Sequence, residues 1–163
     1  MEEALTEPPR LFNGSVETGV RSLLILEACY PATLDIDTMS LFDYFVVHTK
    51  DIGGPVSLHP AIGSRVGEYH VRRRVIQDGL RLMRRASLID VVEAEDGVRF
   101  TASEDAPAFV KLMGTDYNRD LFARSKWLAE QWKSSGDEFV SRLRASIERW
   151  SLEFGEEGGA ADA

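Results

Sequence analysis

Residues 68–102 read EYHVRRRVIQDGLRLMRRASLIDVVEAEDGVRFTA, and their patterning decides the fold. At about 100° per residue, Val71, Val75, Ile76, Gly79, Leu80, Leu82, Met83 and Ala86 share one side of a helix from about Glu68 to Ala86. Arg73, Arg74, Arg81, Arg84 and Arg85 fall within about 120° on the other side. Seven arginines between residues 65 and 86 stand against only Glu68 and Asp78, a local charge of +5 in a chain whose total is −8. Two β-rich runs follow, Leu88 to Ala94 and Val98 to Ala102, joined through Asp96-Gly97, a strong hairpin signal.

Towards the N-terminus, a first helix is expected from about Val16 to Cys29, with Ser15 as its N-cap and Pro31 as its stop. Val16, Val20, Leu23, Leu24, Ile25, Leu26 and Ala28 occupy most of its circumference, which places it at the centre of the core. A second helix runs from Asp37, as cap, to about His48, with Met39, Leu41, Phe42, Phe45 and Val46 inward. Residues 51–67 hold four glycines and two prolines, which no regular element survives, yet Ile52, Val56, Leu58 and Ile62 make them a packed, ordered loop. Three helices followed by a hairpin is the order of a winged helix.

Towards the C-terminus, Ser103 caps a short helix through Phe109, Val110, Leu112 and Met113, ended by Gly114. A fifth helix, about Asp116 to Lys133, aligns Tyr117, Leu121, Leu128 and Trp132 and leaves Phe122 and Trp127 off the stripe. After the Ser134-Ser135-Gly136 break, a last helix from Asp137 to Phe154 carries Phe139, Leu143, Ile147, Trp150 and Phe154 along a narrow seam. The expected fold is mainly α with a small β-hairpin. It has a winged-helix-like core over 13–114 and a C-terminal helical extension over 115–154, between disordered tails at 1–12 and 155–163.

Composition bounds the function. A chain of 163 residues is one compact domain, and 44% apolar with 28% charged residues is the balance of a folded soluble protein. The longest aliphatic run, Leu23 to Leu26, is far short of the roughly 20 residues of a membrane-spanning helix. The opening residues lack the cationic start and apolar stretch of a secretory signal, so the chain is expected in the cytoplasm. Its single cysteine, Cys29, excludes an internal disulfide and reads as a buried small residue.

No catalytic constellation stands out. His48, His59 and His70 have neither the HExxH pattern nor the paired spacing of a helical metal site. Asp90, Glu93, Glu95 and Asp96 lie on the expected hairpin, with no lysine close behind to serve a nuclease-like metal cluster. Gly53-Gly54-Pro55 lacks the lysine and following helix of a phosphate cradle. We therefore expect a non-enzyme with no metal and no cofactor.

The arginine face has three readings: a solvated helix surface, a nucleic-acid contact, or a contact with an acidic protein surface, whose carboxylates arginine forks bind equally well. The acidic hairpin weakens the nucleic-acid reading, because such a wing is pushed away from a phosphate backbone. The seventeen-residue connection before the helix, residues 51–67, is also too long for a helix-turn-helix corner. Arg72 differs from its neighbours by projecting onto the apolar side, where a guanidinium needs a carboxylate; Glu68, one turn earlier, is the expected partner in a structural ion pair. The seam of the last helix either packs on the rest of the domain or docks on a partner.

Several stretches resemble the middle components of bacterial ABC-three-component systems. They are Phe12-Asn13-Gly14, Glu17-Thr18-Gly19-Val20-Arg21-Ser22-Leu23, and the loop Gly53-Gly54-Pro55-Val56-Ser57-Leu58-His59-Pro60. Gly67-Glu68, Val71-Arg72-Arg73 and Gln77-Asp78-Gly79-Leu80 continue the likeness, which covers about residues 12 to 130. The resemblance implies a small accessory subunit beside an SMC-like ABC ATPase and an effector, often a nuclease, as in the Lamassu anti-phage systems. It implies a non-catalytic adaptor that restrains the effector until foreign DNA is sensed, in a hetero-oligomer that can reach double-stranded DNA through the complex. Gly53, Gly54, Pro55, Leu58, His59, Pro60 and Glu68, with Phe139, Leu143, Ile147, Trp150 and Phe154, are then the expected partner contacts. The five exposed-face arginines are the expected contacts to DNA or an acidic partner. The alternative is a stand-alone winged-helix DNA-binding transcription regulator.

Overall fold

The computed structural model describes residues 14–59 and 65–159, with the side chains of 65–68 and 153–159 outside the description. In chain order the elements are α1 (Ser15–Cys29), α2 (Ile36–Val47), a 3-10 turn (Thr49–Ile52), α3 (Arg65–Arg85), β1 (Ile89–Ala94), β2 (Gly97–Ala102), α4 (Ala106–Leu112), α5 (Asp116–Ser135) and α6 (Asp137–Gly159). The chain is thus mainly helical with one two-stranded antiparallel hairpin, as the periodicities predict.

Two helices share the centre. Every residue of α2 from Met39 to Val47 is buried, as is α1 from Arg21 to Leu26, so the core is built on a pair and not on α1 alone. A helix apolar around its whole circumference must be covered on all sides. Accordingly, α3, α5 and α6 pack on α2, while α3 and α5 also pack on α1. The Phe42 ring meets Trp132 of α5 edge-on at 5.5 Å and Phe139 of α6 at 6.1 Å, an aromatic junction that ties three helices.

The hairpin closes the other end. Ile89 pairs with Ala102, and both are buried on the inner face; Glu93 pairs with Val98 nearer the tip. Between α1 and α2, Leu34 adds an isolated bridge to Phe100 through two backbone hydrogen bonds of 3.0 and 2.8 Å, giving the hairpin a third short edge. Just past the end of α3, Ser87 takes a left-handed φ of 62°, and the Leu88 N–H donates back to the Met83 carbonyl at 3.0 Å.

Several local expectations are corrected. Gly14, not Ser15, stands at the N-cap of α1, and Asp35, not Asp37, caps α2 by accepting from the Thr38 N–H at 2.8 Å. Asp35 precedes the first helical turn by the right distance, which leaves Asp37 free to point elsewhere. Ser103 does not cap α4: Asp105 stands at that position, and the Ser103 hydroxyl instead donates to the Ser87 carbonyl at 2.7 Å. On α3, Val71 (65% exposed) and Leu82 (36%) are not inside, because the neighbours cover a narrower stripe than the apolar side. Helix α6 runs on to Gly159, beyond Phe154, where the sequence pattern ends it.

Candidate interaction surfaces

The most buried charges lie in the most apolar helices. Arg21 of α1 donates through Nε to Asp43 Oδ1 at 2.6 Å, and Arg72 of α3 approaches Asp43 Oδ2 through its own Nε at 3.3 Å. One fully buried carboxylate on α2 thus joins three helices, with both guanidiniums almost completely covered. Burial opposes the charge on Arg21, but Asp43 and Tyr117 outweigh it and hold the guanidinium above its ordinary value. The Arg72 guanidinium also lies 5.7 Å from the centre of the Tyr44 ring.

This triad is continuous with the Ser57-Leu58-His59 loop. Tyr117 of α5 sits against Arg21 and Arg72; burial pushes its phenol up, against the pull of both cations. Its hydroxyl shares a 2.8 Å hydrogen bond with His59 Nε2, and the two rings stack at 16°. The His59 ring also meets His48 edge-on, and the His59 backbone N–H donates to the Val47 carbonyl at 3.1 Å. The rest of the loop is clamped from outside. Arg124 donates to the Val56 carbonyl through Nε at 2.9 Å and through a terminal nitrogen at 2.7 Å, and Thr49 Oγ1 donates to the Pro55 carbonyl at 2.8 Å. A Cβ on Gly54 would stand 2.6 Å from the Trp127 indole, so only glycine admits that ring. The expected loop over 51–67 is shorter than patterned, since the 3-10 turn takes in Asp51 and Ile52 and α3 begins at Arg65. Of the residues expected to pack it, Ile52 and Leu58 are half-buried, Val56 is 75% exposed and Ile62 lies outside the described residues, while His59 turns inward.

Arg72 is buried, as its place on the helix predicts, and approaches Asp43 of α2; the Glu68 side chain, expected as its partner, lies outside the described residues. Pro60 and the Glu68 side chain, both expected partner contacts, lie outside the described residues, as does the Phe154 side chain. The remaining seam residues of α6 turn inward: Phe139, Leu143 and Ile147 are buried, and Trp150 packs half-covered on Tyr44 at 5.9 Å and Phe45 at 6.0 Å. Of the two readings of the seam, the chain's own α2 takes the place a partner would have.

The arginine face is exposed as patterned. Arg73 pairs with Asp37, and Arg81 lies 3.3 Å from Asp78, while Arg74, Arg84 and Arg85 also stand in solvent. The hairpin acids are likewise exposed, with Asp96 held by Arg99 at 2.8 Å; that contact keeps the Asp96 carboxyl below its ordinary value. Among the described residues no group of three or more His, Cys, Asp and Glu could hold a metal ion, and no helix is long and apolar enough to cross a membrane.

Arg21, Asp43 and Arg124 were not singled out by role from the sequence. The available signal was the single cation of α1, Arg21, beside its apolar run and an acid, Asp43, inside the apolar run of α2, since neither is tolerated there without the other. No curated protein and no solved structure matches the chain. A family model does, over residues 11–153, which take in the clamped loop, the buried triad, the arginine face and the hairpin. The chain therefore belongs to the ABC-three component (ABC-3C) system Middle Component 2 family.

Proposed function

We propose that this middle component is a non-catalytic adaptor in an anti-phage defence complex of the Lamassu type. It joins an SMC-like ABC ATPase to an effector nuclease and restrains the effector until foreign DNA is sensed. The observation that carries the reading is the family match over residues 11–153, nearly the whole folded unit. Two features of the fold support it. A shared buried carboxylate joins α1, α2 and α3, which ties the arginine-bearing helix to the core. The surfaces on α3, the hairpin and the 53–59 loop are chemically distinct, one cationic, one acidic and one apolar-tipped. We assign the core a winged-helix arrangement on the order α1–α2–α3–hairpin and on the Leu34–Phe100 bridge, which supplies the short strand between the first two helices.

The test is co-expression with the genes encoded beside it. An ATPase with Walker motifs flanking a long coiled coil is expected to co-purify stoichiometrically with this chain and the effector. The competing reading, a stand-alone regulator, draws on the exposed Arg74, Arg84 and Arg85. It requires tight, sequence-selective duplex binding by the isolated chain, with a log–log salt slope of about −4 to −5 if five arginines engage phosphates. That result would displace the adaptor.

A further inference from the structure

The outer face of α3 does not end in open solvent. Beside it runs a trough of about 560 Å³ between α3 and the inner face of the hairpin. Its apolar lining is Ile36, Leu80, Val91, Val98 and Phe100; Leu80 is buried, whereas Val98 is 49% exposed. One rim carries Arg81 and Arg84, which with Arg85 also line the adjoining depression on α3. The acidic lining comes from Glu93 and Asp96 of the hairpin, Asp96 being paired with Arg99, and from Asp35 and Asp37 at the start of α2.

An apolar trough with a basic rim and an acidic lining discriminates between classes of partner. A nucleic-acid duplex offers an unbroken row of phosphates and nothing apolar for Val98, and it would bring those phosphates against Glu93 and Asp96. A protein helix offers three parallel strips, an apolar seam flanked by charged edges, and its orientation is fixed when the two edges differ in sign. We infer that the α3–hairpin trough binds an amphipathic helix of a partner protein. That helix carries acidic side chains along the edge facing Arg81 and Arg84, and basic ones along the edge facing Glu93 and Asp96. The inference rests on the adaptor reading and names the surface through which it works.

The full chain is co-expressed with the adjacent ATPase and effector as wild type, as Val98→Asp, as Arg84→Glu, and as Glu148→Arg on the exposed face of α6 as a control. Melting curves check each fold. Retention of the wild type and Glu148→Arg, with at least about tenfold weaker retention of the other two, is the expected result. If Val98→Asp and Arg84→Glu are retained like wild type, the trough inference fails and the adaptor stands. If the wild type itself is not retained, both fail. Should either variant not fold, a photocrosslinking residue in place of Val98 replaces it. It should capture a partner polypeptide through a segment with the two-edged charge pattern, and capture of nucleic acid or of nothing overturns the inference.

Discussion

Gly79 of α3 lies so close to Gly19 of α1 that a Cβ on Gly79 would stand 2.7 Å from the Gly19 backbone nitrogen. The two helices meet there backbone to backbone. Gly79→Ala would gain up to about 1 kcal/mol of helix propensity, but the obstacle is main chain and cannot step aside. We expect a net loss of about 1–3 kcal/mol in urea unfolding. A variant as stable as wild type would show that the crossing is looser than described.

Among the described residues Asp43 is the carboxylate that both Arg21 and Arg72 approach, so Asp43→Asn removes a charge that the two guanidiniums share. Breaking a buried ionic network from its centre costs about 3–5 kcal/mol, enough to unfold many domains of this size at moderate temperature. Denaturant titration of Asp43→Asn measures it. Reversal of an exposed acid such as Glu95 should cost well under about 1 kcal/mol by the same measurement.

Arg124→Ala deletes both hydrogen bonds to the Val56 carbonyl. The loop should loosen locally while the core persists: faster amide exchange over residues 53–59, with about 0.5–1.5 kcal/mol of global stability lost. Gly54→Val should displace the Trp127 indole and shift tryptophan emission to longer wavelength. Unchanged exchange in Arg124→Ala would mean that the inward contacts of His59 hold the loop alone.

Burial pushes the Cys29 thiol up from its ordinary 9.0 to about 12. In the folded protein it should stay a thiol at pH 8 and react with iodoacetamide only after denaturant is added. Because the unfolded chain releases this proton first, stability is full below about pH 9 and falls as the pH rises towards 12. Rapid native alkylation at pH 8 would contradict the burial.

His59 Nε2 and the Tyr117 hydroxyl share the hydrogen bond that links the loop to the buried triad. Tyr117→Phe keeps the ring stack and removes that bond together with the hydroxyl's interaction with Arg21. A loss of about 1 kcal/mol is expected in thermal or urea unfolding.

Local physics was legible in the sequence wherever neighbours along the chain decide the outcome. The spacing of Val75, Ile76 and Leu80 fixes which side of α3 is dry, Asp96-Gly97 fixes the turn, and the segregation of arginines survives into an exposed face. Arg72 was legible as buried, because its angle on the helix places it among apolar residues. Its partner was not: Asp43 is brought to it by a helix crossing, and a one-dimensional pattern reports that a face is covered without reporting by what. The same limit governs the α6 seam, whose spacing suits any apolar groove. Only the folded chain determines that α2 lies in it, because burial is a property of two surfaces and the sequence of one helix describes only its own.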